Sequence, residues 1–234
     1  MKTYAIIFFV FLTLTSAAQT LLVEERTVKN EESIDLNSWT ARLDQDMENC
    51  METYSDFIKE TFKTKVEKRG KNVLVAEKTQ FPELSNLRLD QRAIFTVESS
   101  GTSVSFTFSP GYDIHFSRDS YKSEFAKAET FVKSYVRFHY DNYYEGQIKT
   151  IQDKIKSLQS DIDSNTKRTD KNNKSISDNK SEGETDKTRS KNEKMMRENT
   201  EYTADSATKR TQITDLESQL AKFNQALQKT LDFK

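Results

Sequence analysis

The chain has one cysteine, two prolines, five glycines and two histidines in 234 residues, and each scarcity removes a class of structure or chemistry. With Cys50 as the only thiol, no disulfide can form within the chain, so the fold must rest on burial. Cys50 also lies too far from the apolar amino-terminal run to be the lipid-bearing first residue of a mature lipoprotein. Five glycines are too few to make a phosphate-cradling loop plausible, and no G-x-S-x-G, H-E-x-x-H or C-x-x-C pattern occurs. Only His115 and His139 could serve as imidazole bases, and neither lies in a catalytic motif. The charges nearly cancel, with 36 basic against 37 acidic side chains, a balance that favours neither nucleic acid nor an anionic membrane. No catalytic residue, cofactor or metal site is expected.

The strongest apolar run is residues 4–14 (YAIIFFVFLTL), preceded by Lys2 and followed by the small residues Thr15, Ser16, Ala17 and Ala18. A bilayer core needs about 20 apolar residues, so this run is too short to span one. Its layout is that of a signal peptide, residues 1–18, with cleavage before Gln19. The mature chain is then exported, to a periplasmic or extracellular destination, with no stable membrane insertion. A short signal ending in Ala-Gln ahead of a Lys/Asn/Ser-rich chain resembles exported bacterial envelope proteins, and that resemblance implies a compartment only.

Aromatic residues are confined to the front of the chain. Of 25, only Tyr202, Phe223 and Phe233 follow Tyr144, and no proline follows Pro110. Residues 19–120 therefore hold one small core and are expected to form an α+β head. Residues 21–28 read as a short strand. Leu43, Met47, Cys50, Met51, Tyr54, Phe57, Ile58 and Phe62 recur at helical steps, which predicts a helix over 38–67, started by Asn37 or Ser38 and followed by a reversal at Gly70. Residues 73–77, 92–98 and 104–108 alternate as strands, the last two as a hairpin with Ile94, Val104, Phe106 and Phe108 on its buried face. Residues 112–116 suggest one more short strand. The economical arrangement is a helix packed on an antiparallel sheet of three to five strands.

From Tyr121 the period becomes helical. Phe125, Ala128, Val132, Tyr135, Val136 and Phe138 form a wide stripe, suited to covering the sheet. Ile148, Ile151, Ile155, Leu158 and Ile162 then narrow to the alternating three and four steps of a coiled-coil seam, repeated by Ile213, Leu216, Leu220, Phe223 and Leu227. Between the seams, residues 163–211 carry almost no large aliphatic side chains, with Thr169, Asn172 and Ala204 or Ala207 at seam positions. Residues 121–234 are expected to form a long antiparallel coiled-coil hairpin turning near 181–187, with a polar distal part prone to fray. If the turn is centred there, facing residue numbers add to about 366. A disordered distal loop, or the same seams pairing between chains, are the competing arrangements.

Little of this carries chemistry. Cys50 lies on an apolar helix face without a basic cluster to lower its pKa. Asp113 and His115 share a strand face but lack further marked ligands. The richest local feature is the aromatic cluster Tyr135, Phe138, Tyr140, Tyr143 and Tyr144, which is either the joint where the carboxy-terminal helix packs on the head or a surface for a protein or small ligand. The expected function is accordingly a non-enzymatic envelope scaffold that meets a protein partner, or itself, through its coiled coil; a ligand or peptide module using the head or the aromatic cluster is the alternative.

Overall fold

In the computed structural model, which describes residues 22–29, 33–111, 114–183 and 185–232, the described part opens with a strand hairpin. Strand β1 (Val23–Lys29) pairs antiparallel with β2 (Asp35–Leu43), from Val23 opposite Ala41 to Lys29 opposite Asp35. The segment expected to be a leader, with its expected cleavage before Gln19, lies outside the described residues.

The helix expected over 38–67 is shorter, because its first third is β2 and its end is another strand. Along β2, Trp39, Ala41 and Leu43 contribute to the core while Ser38 and Thr40 point to the opposite face, the alternation of a strand. Leu43 and Met47 stand four residues apart across the strand-to-helix junction, which imitates one helical turn in sequence. The true start is Asp46, whose Oδ1 accepts the Asn49 backbone N–H at 2.9 Å. Helix α1 (Met47–Phe62) ends on Lys63, which adopts a left-handed conformation. Beyond it, β3 (Glu67–Arg69) turns through Gly70, at φ 66°, into β4 (Val73–Gln80).

Strands β5 (Arg88–Glu98) and β6 (Gly101–Ser109) complete a six-stranded antiparallel sheet in the order β1-β2-β6-β5-β4-β3. The sheet is wider than anticipated because residues 35–43 and 67–69 belong to it. Within the β5–β6 hairpin, Ala93 and Phe95 lie opposite Phe106 and Val104 on the core face, whereas Ile94 lies opposite Ser105 on the other face. The expected alternation holds, but Ile94 is out of phase with the core; Phe95 takes that place. Gly101 closes the hairpin at φ 140°, where a β-carbon would sit 2.1 Å from the Leu43 carbonyl oxygen. Of the strand expected at 112–116, the structure has an isolated bridge between Gly111 and Ile114, while Tyr112 and Asp113 lie outside the described residues.

Helices α2 (Lys122–Ser181) and α3 (Asp186–Leu231) form the hairpin. The first turns of α2 pack with α1 on the core face of the sheet. There Phe131 meets the rings of Phe57, Phe62, Phe81, Phe106 and Phe108, with centroids 5.3–6.0 Å apart, and Tyr54 meets Tyr135 edge-on at 5.3 Å. The Trp39 indole N–H donates to the Phe125 carbonyl at 2.7 Å, fastening β2 to the start of α2. At about 1.5 Å rise per residue, α2 is about 90 Å long, so a single helix serves the head core and then leaves it.

Outside the head, α2 and α3 hold an unbroken three-four spacing. Buried or half-buried positions run from Tyr144 through Ile148, Ile151, Ile155, Leu158, Ile162, Asn165, Thr169, Asn172 and Ile176 to Asn179. On α3 they run from Thr188 through Asn192, Met195, Asn199, Tyr202, Ser206, Lys209, Ile213, Leu216, Leu220, Phe223 and Leu227 to Thr230. The polar distal part is continuous helix. Thr169 and Asn172 hold the expected seam positions, but Ala204 and Ala207 are exposed and Tyr202 and Ser206 take their place. Contacting residues add to 370–372 in the distal arms, as in Asn165 with Asp205 and Ser206, Asn179 with Asn192, and Asn173 with Asn199. Part of the excess over 366 has a geometric origin. Helical side chains lean toward their own amino terminus, so in an antiparallel pair each contacting residue lies carboxy-terminal to the level at which it touches its partner.

Candidate functional site

Three places concentrate side-chain detail: the joint between head and stalk, the polar seam of the stalk, and a groove beside α1. The joint is built by the loop 44–46, which follows β2 and faces α2. The Tyr140 hydroxyl donates to Asp44 Oδ1 at 3.1 Å, and the Asp44 backbone N–H points back to the same hydroxyl at 3.4 Å. Gln45 is gripped from three sides. Its carbonyl accepts from Thr102 Oγ1 at 2.9 Å and from the Cys50 thiol at 3.8 Å, and its Oε1 lies 2.7 Å from His139 Nε2. The Tyr135 hydroxyl donates to the Cys50 carbonyl at 2.9 Å. Each phenol thus places its ring in the core and its polar tip on the backbone or side chains of one short stretch, which satisfies hydroxyls that burial would otherwise strand.

Burial decides the chemistry of this cluster. Desolvation lowers His139 to a pKa of about 4, so its ring is neutral at ordinary pH. With Gln45 Oε1 as the acceptor, the ring carries its proton on Nε2, and Nδ1 has no hydrogen-bond partner among the described residues. The same effect raises the Cys50 thiol to about 12, keeping it protonated. Neither group is prepared as a base or a nucleophile.

Of the aromatic residues singled out from the sequence, Tyr135 and Tyr140 are essentially fully buried, Tyr144 is buried, and Phe138 and Tyr143 are half-buried. Tyr140 stacks on Tyr144 at 5.8 Å, and Tyr144 meets Phe223 of α3 at 6.1 Å. The structure therefore brings the cluster together as the joint that ties α3 to the head. His115 is half-buried on the segment after β6 and its neighbour Asp113 lies outside the described residues. Among the described residues, no three His, Cys, Asp or Glu side chains converge as metal ligands would.

The stalk seam holds Asn172, expected there from the sequence, together with Asn165 and Asn179, which sequence reasoning passed over. Asn165, Asn172 and Asn179 are seven residues apart on α2, and each donates from Nδ2 across the seam: Asn165 to Asp205 at 2.7 Å, Asn172 to Asn199 at 2.9 Å, and Asn179 to Asn192 at 2.7 Å. Asn192 and Asn199 are themselves seven apart. Lys209 joins the proximal end of this ladder, 2.5 Å from Asp205 and 3.6 Å from Asp161, and Arg168 lies over the Tyr202 ring. Heptad-spaced asparagines were the available signal; a search for aliphatic seams does not see them.

The groove runs between α1 and the β3–β4 hairpin and measures about 710 Å³. Met47, Met51, Val66 and Leu74 form its apolar lining, Glu48 and Glu52 stand on the α1 side, and Lys68 and Lys71 on the strand side. No helix of the described residues is long and apolar enough to cross a membrane. No protein-family model, curated protein or solved structure matches this chain.

Proposed function

We propose that the chain is a non-enzymatic, exported scaffold whose head is one contact surface and whose helical hairpin is a spacer that holds a second contact at a distance. The observation that carries the reading is α2 itself. One helix of 60 residues belongs to the head core over its first turns and to the stalk over the rest, so head and stalk are joined without a linker. A chain that spends more than a third of its length on a polar rod is equipped to separate two places, and a spacer needs such rigidity.

The inert state of Cys50 and His139 supports the non-enzymatic part. Cys50 is buried and held protonated, and His139 is buried and held neutral. Export rests on the leader-like pattern of residues 1–18. A protein partner, or a second copy of the chain, remains the expected partner class. Phe138 and Tyr143, the half-buried members of the aromatic cluster, are the parts of the joint that a partner can touch.

Small-angle scattering with light scattering on residues 19–234 tests the reading. A monomer with a maximum dimension above about 100 Å is expected. A compact particle, or an oligomer in which the seams pair between chains, would overturn the spacer. Cell fractionation of the full chain tests export, with retention in the cytoplasm as the contrary result.

A further inference from the structure

The helix layer of the head is incomplete. α2 lies over β1 and β2 and α1 over β6, β5 and β4, so the three-residue β3 is the strand at the edge of that face without a helix on it, and the groove lies there beside α1. Its lining is apolar and polar in nearly equal measure: on the apolar side Leu74 and Met51 are 4 % and 8 % exposed and Met47 and Val66 are half-buried, and the rest is Ser55 and the charged walls. Methionines, unbranched and polarisable, adapt their shape to an incoming surface.

The charges around the groove differ from the paired network on the opposite face, although Arg88 and Arg92 of β5 are likewise outside any ion pair among the described residues. On the opposite face, Arg26, Arg42, Glu24 and Glu98 pair among themselves at 2.5–3.8 Å. Arg69, next to the groove, is engaged by Glu67 and Glu77. Glu48, Glu52, Lys68 and Lys71 make no such ion pair among the described residues. They form an acidic wall and a basic wall on either side of an apolar floor.

We propose that this groove is a docking site for an amphipathic helix of a partner protein, with an apolar stripe on the methionines, basic residues along the Glu48 and Glu52 flank, and acidic residues along the Lys68 and Lys71 flank. The charge pattern selects the flanks, because a helix inserted with like charges on each side would be repelled. The sheet edge argues for a helix over an added strand. β3 has three residues, Glu67, Lys68 and Arg69, all exposed and charged, and a short charged edge strand resists strand addition. A helix laid beside α1 would continue the layer already present. The site is separate from the stalk, so its failure leaves the spacer reading to its own test.

The experiment uses the full mature chain and a fluorescein-labelled helical peptide of about 15 residues, with leucines at i, i+3, i+4 and i+7, lysines on one flank and glutamates on the other. Saturable binding is expected, with amide shifts confined to α1 and the segment 66–74. The double variant Lys68→Glu/Lys71→Glu, which circular dichroism should show to be folded, is expected to bind at least about tenfold more weakly. A peptide with glutamates on both flanks should bind that variant worst of all. Met47→Asp, at the half-buried first residue of α1, should abolish binding in a chain that circular dichroism shows to be folded. Absence of saturable binding, binding indifferent to both charge changes, or equal binding of a proline-broken peptide of the same composition would each overturn the proposal.

Discussion

Asn172 and Asn199 face each other across the stalk, Nδ2 to Oδ1 at 2.9 Å, with Glu198 Oε2 3.4 Å from the same donor. This pair is the middle rung of a ladder completed by Asn165 with Ser206 and Asp205, and by Asn179 with Asn192. A half-buried amide that finds its partner in only one alignment fixes the register of two helices, at some cost in stability relative to an aliphatic pair.

Replacing Asn172 with Asp removes the donor and sets a carboxylate beside Glu198. A loss of about 1–2 kcal/mol is expected, read as a lower denaturation midpoint. Replacing Asn172 and Asn199 together with Leu should instead raise the melting temperature while permitting alternative pairings, seen by light scattering as species larger than the wild type.

The base of the hairpin should respond to cavity formation. Leu216 is 7 % exposed on the α3 seam, so Leu216→Ala is expected to cost about 2–4 kcal/mol. Gln219→Ala, at an exposed position of the same helix, should change the midpoint little. Equal effects of the two substitutions would contradict the seam.

Gly101 provides a test of the sheet that involves no side-chain packing. At φ 140°, with a would-be β-carbon 2.1 Å from the Leu43 carbonyl oxygen, Gly101→Ala forces the β5–β6 turn or the end of β2 to move. A destabilisation above about 2 kcal/mol is expected in thermal or denaturant unfolding.

His139 gives stability a pH dependence whose sign follows from its neutral burial. Its pKa is about 4 when folded against an ordinary 6.5, so the unfolded chain binds the extra proton first as pH falls. The stability linked to this group is complete above about pH 6.5 and is lost progressively as pH falls toward 4, by about 2 kcal/mol between pH 7 and pH 5. His139→Gln keeps a donor for Gln45 and removes the titration. Its stability should therefore fall less over that interval, as compared by denaturant midpoints at both pH values.

Cys50 should resist alkylation by iodoacetamide in the native protein and react once guanidinium unfolds it, because burial both hides the thiol and raises it to about 12. Rapid native labelling would remove the account of the joint given above.

The coarse architecture was legible because it depends on periodicity. Alternation marked β5 and β6, and three-four spacing marked both seams of the hairpin. Where two periods coincide over a few residues the reading failed: Leu43 ends a strand and Met47 begins a helix, yet their spacing of four suited one continuous helix. Phe131 lies three residues after Ala128 and four before Tyr135, and belongs to the stripe already evident on α2. The joint was less legible for a different reason. Gln45 and Asp44 have unremarkable neighbours in sequence, and acquire their role when residues 44–46 meet a helix almost a hundred positions later. The groove was invisible for the same reason, since its two charged walls come from α1 and from the β3–β4 hairpin.

The continuity of α2 has a mechanical consequence. Phe131 and Tyr135 are wedged in the aromatic interior of the head, and the same backbone runs without interruption to Ser181 beside the distal turn. A sideways load on that turn acts on the head as on the short arm of a lever, through the rings of Tyr140 and Tyr144 and the loop that holds them. The joint, rather than the tip, is where bending stress accumulates, and the hydrogen bonds around Asp44 and Gln45 set how much the rod can be deflected before the head itself must yield.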